Sequence, residues 1–122
     1  MKNAINWFEI PASDFDRAVK FYGAVLGETI TRHKMGGADM GFLPADRDGV
    51  GGAIVAGPDA HPGPGGALVY LNANPDLSAA LGRVEAAGGS IVVPKTAISA
   101  EFGFFSLVAD TEGNIIGLHS AH

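Results

Sequence analysis

The 122-residue chain contains no cysteine. A disulfide framework and a cysteine-ligated zinc site are therefore excluded, and the composition fits a reducing cytoplasm. Basic residues are also few, with 8 Lys and Arg against 13 Asp and Glu, and neither sign of charge forms a run. Because nucleic-acid binding needs concentrated positive charge, we expect no nucleic-acid partner.

Long apolar runs are missing as well. No stretch approaches the roughly 18 apolar residues that a membrane span requires, and the N-terminus lacks the basic and apolar regions of a secretory signal. We therefore expect a cytoplasmic protein with no membrane partner. Glycine is abundant at 18 residues, but the glycines separate apolar segments and form no low-complexity tract. The composition predicts one globular domain.

The first half of the chain, residues 1–57, predicts a β-α-β-β-β order. A strand rich in aromatic and β-branched residues ends at Pro11, and Ser13 or Asp14 then caps a helix that ends at Gly27. Apolar residues at helical spacing give this helix one buried face. Turn residues separate the three strands that follow, which we place at residues 28–35, 39–43 and 52–56.

The second half, residues 67–122, predicts the same order after a Pro- and Gly-rich linker at residues 58–66. Asp76 or Ser78 caps its helix, and Pro94 is expected to stop the strand that begins at Ile91. The other strands are placed at residues 67–71, 102–108 and 114–119. Adding 62 to a first-half position aligns several capping and turn residues of the two halves, so we interpret them as a repeat.

Two motifs carry a resemblance to a known family. They are the segment Ser13-Asp14-Phe15-Asp16-Arg17-Ala18, which leads to Phe21-Tyr22 and Leu26-Gly27, and the closing Asp110-x-x-Gly113-Asn114 turn. Together with the tandem halves they resemble the vicinal oxygen chelate superfamily, which includes glyoxalase I, extradiol dioxygenases and bleomycin-binding proteins. The resemblance implies an α+β fold in which two βαβββ modules form a curved sheet around a cavity. It also implies a homodimer.

The same resemblance implies four metal-ligand positions, two in each half. Carried over residue by residue, they fall on Trp7, Val69, Gly117 and Val55. None of these side chains can ligate a divalent cation, which needs three or four nitrogen or oxygen donors. We therefore expect no metal and no other cofactor.

Two polar residues lie beside the missing ligands. Glu9 lies two residues after Trp7, and His119 lies two residues after Gly117, so each shares a strand face with its neighbour. The family fold brings such strands together, and a carboxylate beside an imidazole suits general-base catalysis. Alternatively, both are structural polar residues.

The aromatic and small residues near these positions are candidates for binding a ligand. Trp7 is either a stacking platform for a planar molecule or a core residue. Phe42 and Phe104 either line the cavity or pack in the core. Val55, Val69 and Gly117 complete the predicted lining.

These residues predict a metal-free cavity that binds a small hydrophobic or aromatic molecule. Binding alone is the first hypothesis, and proton transfer by Glu9 and His119 is the second. The alternative is a metal-dependent lyase, isomerase or dioxygenase that takes ligands from Glu9, His119 and a partner subunit. Whether the modules pair within one chain or between chains stays open.

Overall fold

The structure, a computed structural model, describes residues 3–122. It contains eight strands and two helices within this range. The elements are β1 (Trp7–Pro11), α1 (Phe15–Leu26), β2 (Thr31–Met35), β3 (Ala38–Phe42), β4 (Gly51–Ala56), β5 (Tyr70–Asn72), α2 (Ser78–Val84), β6 (Ser90–Ser99), β7 (Gly103–Ala109) and β8 (Ile115–Ser120).

The strands form two four-stranded sheets, one from each half of the chain. The first has the order β1-β4-β3-β2 and the second the order β5-β8-β7-β6. In each sheet the first strand runs parallel to the last, and the remaining neighbours are antiparallel. The predicted α+β class and the β-α-β-β-β order of both halves are confirmed.

Local sequence signals determine the ends of α1. The side chain of Asp14 caps the helix by accepting a hydrogen bond of 3.1 Å from the backbone N–H of Arg17. Gly27 ends it in the left-handed conformation, with φ of 67°, which glycine adopts without a steric penalty. This boundary agrees with the sequence prediction.

One hydrophobic core joins the two halves. Val25 of α1 and Val84 of α2 are buried in it, together with Ile10, Ile54 and Leu118 from both sheets. In each strand the residues that alternate with these core residues point away from the helices. We call this second side of each sheet its open face; it includes Trp7 and Glu9 of β1, Met40 and Phe42 of β3, Val55 of β4, Tyr70 and Asn72 of β5, Phe105 of β7, and Gly117 and His119 of β8.

The prediction that Pro94 stops a strand is wrong. Strand β6 continues through Pro94 to Ser99, with irregular pairing to β7 between Val93 and Thr96. Because β6 is at the edge of its sheet, one side of the strand needs no hydrogen-bond donors, and the irregularity accommodates the proline.

In the part of the chain from residue 3 onward, no helix is long and apolar enough to cross a membrane.

Candidate functional site

A cleft of about 1090 Å³ lies between the first strands of the two modules. Its walls include residues 3–5, 7 and 8 from the first module and residues 67–72 from the second. Trp7 and Tyr70 both line it, and they are 43% and 49% exposed. Two large aromatic side chains are therefore available to a molecule that enters the cleft.

A glycine lies beneath each of these rings. Trp7 pairs with Gly51 across the parallel strands of the first sheet, and Tyr70 pairs with Gly117 in the second. A Cβ atom on Gly51 would come within 3.3 Å of the Trp7 ring, and one on Gly117 would overlap the Tyr70 ring. The missing side chains thus make room for both rings.

The paired glycines also correct the alignment of the repeat. They make Tyr70 the counterpart of Trp7, which is an offset of 63 residues between the halves. They make Gly117 the counterpart of Gly51, which is an offset of 66 residues. A uniform offset of 62 instead selects Val69 as the counterpart of Trp7. The side chain of Val69 packs against the core, and its backbone carbonyl accepts a hydrogen bond of 2.9 Å from the Gly117 N–H.

Trp7 is held from two sides. Its indole Nε1–H donates a hydrogen bond of 3.2 Å to the Glu9 carboxylate. The ring of Phe42 meets it edge-on at a centroid separation of 5.7 Å and stacks in turn on His33 at 4.5 Å. These contacts orient the indole ring on the open face of the first sheet.

His119 has other partners. Its Nε2 lies 2.6 Å from the backbone carbonyl oxygen of Phe102. In the second sheet β5 is the edge strand that lines the cleft, and β8, which carries His119, is the next strand inward. Within residues 3–122 no hydrogen bond or ion pair joins Glu9 to His119. The structure therefore does not form the expected carboxylate–imidazole pair within one chain.

Strand β7 presents a different aromatic residue from the one expected. Phe104 packs against the core, with the Lys95 ammonium 4.5 Å from its ring centroid. Its neighbour Phe105 points to the open face, where its ring centroid is 6.5 Å from that of Tyr70. Phe104 thus faces the core and Phe105 faces the open face, because successive strand residues face opposite sides.

The donors near the aligned glycines do not suit a resident divalent metal. Gly51 and Gly117 supply no side chain, and the Trp7 indole nitrogen carries a proton, which it donates to Glu9, and has no lone pair for a metal. Tyr70 contributes one phenol oxygen. Across the described residues no group of three or more His, Asp or Glu side chains is arranged to hold a metal ion. A cation needs three or four converging donors, so the residues present do not fit one.

A buried carboxylate that the sequence analysis missed joins the two modules. The Glu112 side chain is fully buried and accepts hydrogen bonds from the backbone N–H groups of Ser13 and Asp14 at 2.9 and 2.7 Å. Its second oxygen accepts one of 2.7 Å from Arg17 Nε. Burial alone would raise the pKa of Glu112. The hydrogen bonds that its carboxylate accepts outweigh this effect and lower the pKa to about 2; the donors are Arg17, Asp14, Thr111 and Ser13.

Asp110 forms a second connection between the modules. The Tyr22 hydroxyl of α1 donates a hydrogen bond of 2.6 Å to its carboxylate, which also accepts from the backbone N–H of Glu112. Burial and the charge of Asp110 raise the pKa of Tyr22 well above its ordinary value. The nearby Asn114 side chain bonds the Pro11 carbonyl oxygen at 2.7 Å. The closing turn is thus a structural junction.

A second cavity, of about 580 Å³, lies beside the N-terminus of α1. Four charged residues that line it form two ion pairs, Arg32 with Asp16 and Lys34 with Asp39 at 3.4 Å, and the side chain of Asp14 is used in capping α1. Because these pairs satisfy the charged groups, the cleft that contains Trp7 and Tyr70 is the stronger candidate site.

The sequence matches the family model described as the Glyoxalase/Bleomycin resistance protein/Dioxygenase superfamily over residues 4–118. A search of curated proteins found no match.

Solved structures resemble the whole chain. TnmS3, an antibiotic binding protein from Streptomyces sp. CB03234, is 22% identical with a TM-score of 0.70, and the match covers 98% of each chain. A glyoxalase-related enzyme from Fulvimarina pelagi is 18% identical with a TM-score of 0.69, over 98% of this chain and 88% of that one. Glyoxalase I from Zea mays is 14% identical with a TM-score of 0.68, over 95% of this chain and 44% of its own.

Proposed function

Because the chain belongs to the glyoxalase/bleomycin resistance protein/dioxygenase superfamily, we propose that it binds a small planar, hydrophobic or aromatic molecule without a metal ion. The ligand lies in the cleft between the modules and rests on the rings of Trp7 and Tyr70. The observation that carries the proposal is the exposure of both rings in one cleft of about 1090 Å³. Such a volume is slightly above the roughly 300–1,000 Å³ that is typical of small-molecule sites.

The arrangement around Trp7 supports a binding role. An indole that only filled the core would be buried, whereas Trp7 is 43% exposed and still oriented by Glu9 and Phe42. A ring held in place before the ligand arrives loses little conformational entropy on binding. We therefore assign Glu9 the role of a positioning residue for Trp7. The name of TnmS3, an antibiotic binding protein, agrees with a binding function.

The set of available donor atoms supports metal independence. Of the four aligned positions, Gly51 and Gly117 have no side chain, and the Trp7 indole N–H, which donates a hydrogen bond to Glu9, has no lone pair for a metal. Aromatic stacking and apolar contact supply the binding free energy in this proposal.

We also propose a cytoplasmic homodimer. Several large apolar side chains are exposed on the single chain, and a second copy would cover part of them. They include Met35 at 55%, Ile98 at 47% and Phe102 at 60% exposure.

The test uses the only tryptophan as a reporter. In a ¹H–¹⁵N correlation spectrum the chain gives one indole N–H signal, and titration with 2-naphthylmethanol, a neutral planar probe, should shift it in a saturable manner. Tyr70→Ala should weaken this binding several-fold. An indole signal that does not move while other residues respond would contradict the proposed site.

A further inference from the structure

The charged side chains that line the cleft within the described chain are all negative. Among the described residues that line it, Glu28 and Asp46 carry carboxylates, and none is Lys, Arg or His. Glu28 follows the end of α1, and Asp46 lies in the connection between β3 and β4. The two carboxylates thus come from separate parts of the first module and contribute to one cavity.

Both carboxylates are free to interact with a ligand. In the part of the chain that the structure describes, the ion pairs are Arg17–Glu112, Arg32–Asp16, Lys34–Asp39 and Lys95–Asp76. None involves Glu28 or Asp46, and both residues are exposed. No Lys, Arg or His of the described chain therefore forms an ion pair with either carboxylate.

The aromatic rings, like the carboxylates, favour a positively charged ligand. The face of an indole or phenol ring is electron-rich and attracts a cation within about 6 Å of the ring centre. Trp7 and Tyr70 line the cleft with Glu28 and Asp46. An anionic ligand would meet unfavourable interactions with both kinds of group, and a cationic aromatic ligand would meet favourable ones.

We propose that the cleft selects planar aromatic cations, such as aromatic amines, over neutral and anionic molecules of the same shape. This inference rests on the proposed function and specifies its ligand class. The ring of the ligand lies against Trp7 and Tyr70, and its ammonium group lies on the side of Glu28 and Asp46. One charge about 4 Å away in water changes a dissociation constant by about fivefold. Two carboxylates at somewhat longer distances would together give a preference on the order of tenfold at low salt.

The experiment compares three probes with one ring system. They are 2-naphthylmethylamine, which is cationic at pH 7, neutral 2-naphthylmethanol and anionic 2-naphthoate. Dissociation constants come from titrations followed by the Trp7 indole signal and by backbone amide signals of the cleft. The amine should bind about tenfold more tightly than the alcohol and more tightly still than the carboxylate. The preference should shrink as salt is added.

Two double variants distinguish the effect of charge in the cleft from the effect of the protein's net charge. The double variant Glu28→Gln/Asp46→Asn should lose the preference and bind the amine and the alcohol almost equally. The matched control Asp59→Asn/Glu85→Gln removes two exposed carboxylates that do not line the cleft, and it should keep the preference.

The outcomes separate the two proposals. If the alcohol binds in the cleft but the amine binds no better, or if both double variants reduce the preference equally, the inference is wrong and the proposed binding function stands. If none of the three probes binds, both are wrong.

Discussion

The ring of Tyr70 lies directly over Gly117, in the space that a side chain at position 117 would occupy. The open face of the second sheet therefore depends on a glycine at this point. A matching arrangement of Trp7 over Gly51 occurs in the first sheet. Each of the two aromatic rings that line the cleft thus lies over a glycine of the neighbouring strand.

Replacing this glycine should disturb the Tyr70 ring. We expect Gly117→Ala to lower the free energy of unfolding by about 1–3 kcal/mol, the usual cost of overpacking. Adding Tyr70→Ala should remove most of that cost, because the two residues are in contact. Gly63→Ala is the control, since a Cβ atom there meets nothing within 4 Å. Urea unfolding measures the effect, and a Gly117→Ala variant as stable as the parent would contradict the contact.

The two tyrosines should respond differently to loss of the hydroxyl group. Tyr22→Phe removes the buried hydrogen bond of 2.6 Å to Asp110, and we expect it to cost about 1.5–3 kcal/mol. Tyr70→Phe removes a hydroxyl for which no hydrogen-bond partner is found in the described chain, so it should stay within about 0.5 kcal/mol of the parent. Equal unfolding midpoints for both variants would show that the Tyr22–Asp110 bond does not stabilise the junction.

Glu112 should be essential for joining the modules. In Glu112→Gln the amide group must face either the N–H groups of Ser13 and Asp14 or the Arg17 guanidinium, so donors would face donors. We expect a loss of on the order of 2 kcal/mol. Glu101→Gln, at an exposed site, is the control and should be close to neutral. Thermal and urea unfolding provide the comparison.

The pKa of Glu112 predicts how the difference in stability between the parent and Glu112→Gln depends on pH. Its carboxyl titrates at about 2 in the folded chain, against an ordinary value of 4.5. A lowered folded-state pKa gives stability that is complete above about pH 4.5 and is lost as the pH falls toward 2. The stability difference between the parent and Glu112→Gln should therefore be largest near pH 6 and shrink at pH 3. A difference that stays constant over this range would contradict the assignment.

Much of the fold could be predicted because its signals are local. Asp14 and Gly27 bound the first helix through a capping bond and a left-handed conformation that only nearby residues determine. Strand β6 was misjudged at Pro94 because tolerance of a proline depends on lying at a sheet edge. That position is a property of the assembled sheet.

The site was less predictable because it depends on registers between distant strands. Trp7 was identified as a candidate, but its counterpart Tyr70 was not, since a uniform offset selected Val69. The alternation around the buried Leu71 was the one local signal that places Tyr70 on the open face. The bonds of Glu112 to the start of α1 span about a hundred residues, and turn chemistry alone does not reveal them.

The central claim is that the aromatic cleft binds its ligand without a metal, and one titration tests it most directly. Binding of 2-naphthylmethanol is followed by backbone amide signals of β5 in protein with and without a chelator, and in the variant Trp7→Ala. We predict the same dissociation constant with and without the chelator, and a loss of about tenfold in Trp7→Ala, since stacking on one ring contributes about 1–1.5 kcal/mol. Loss of binding on chelation, with about one metal ion per chain in the untreated protein, would contradict the account.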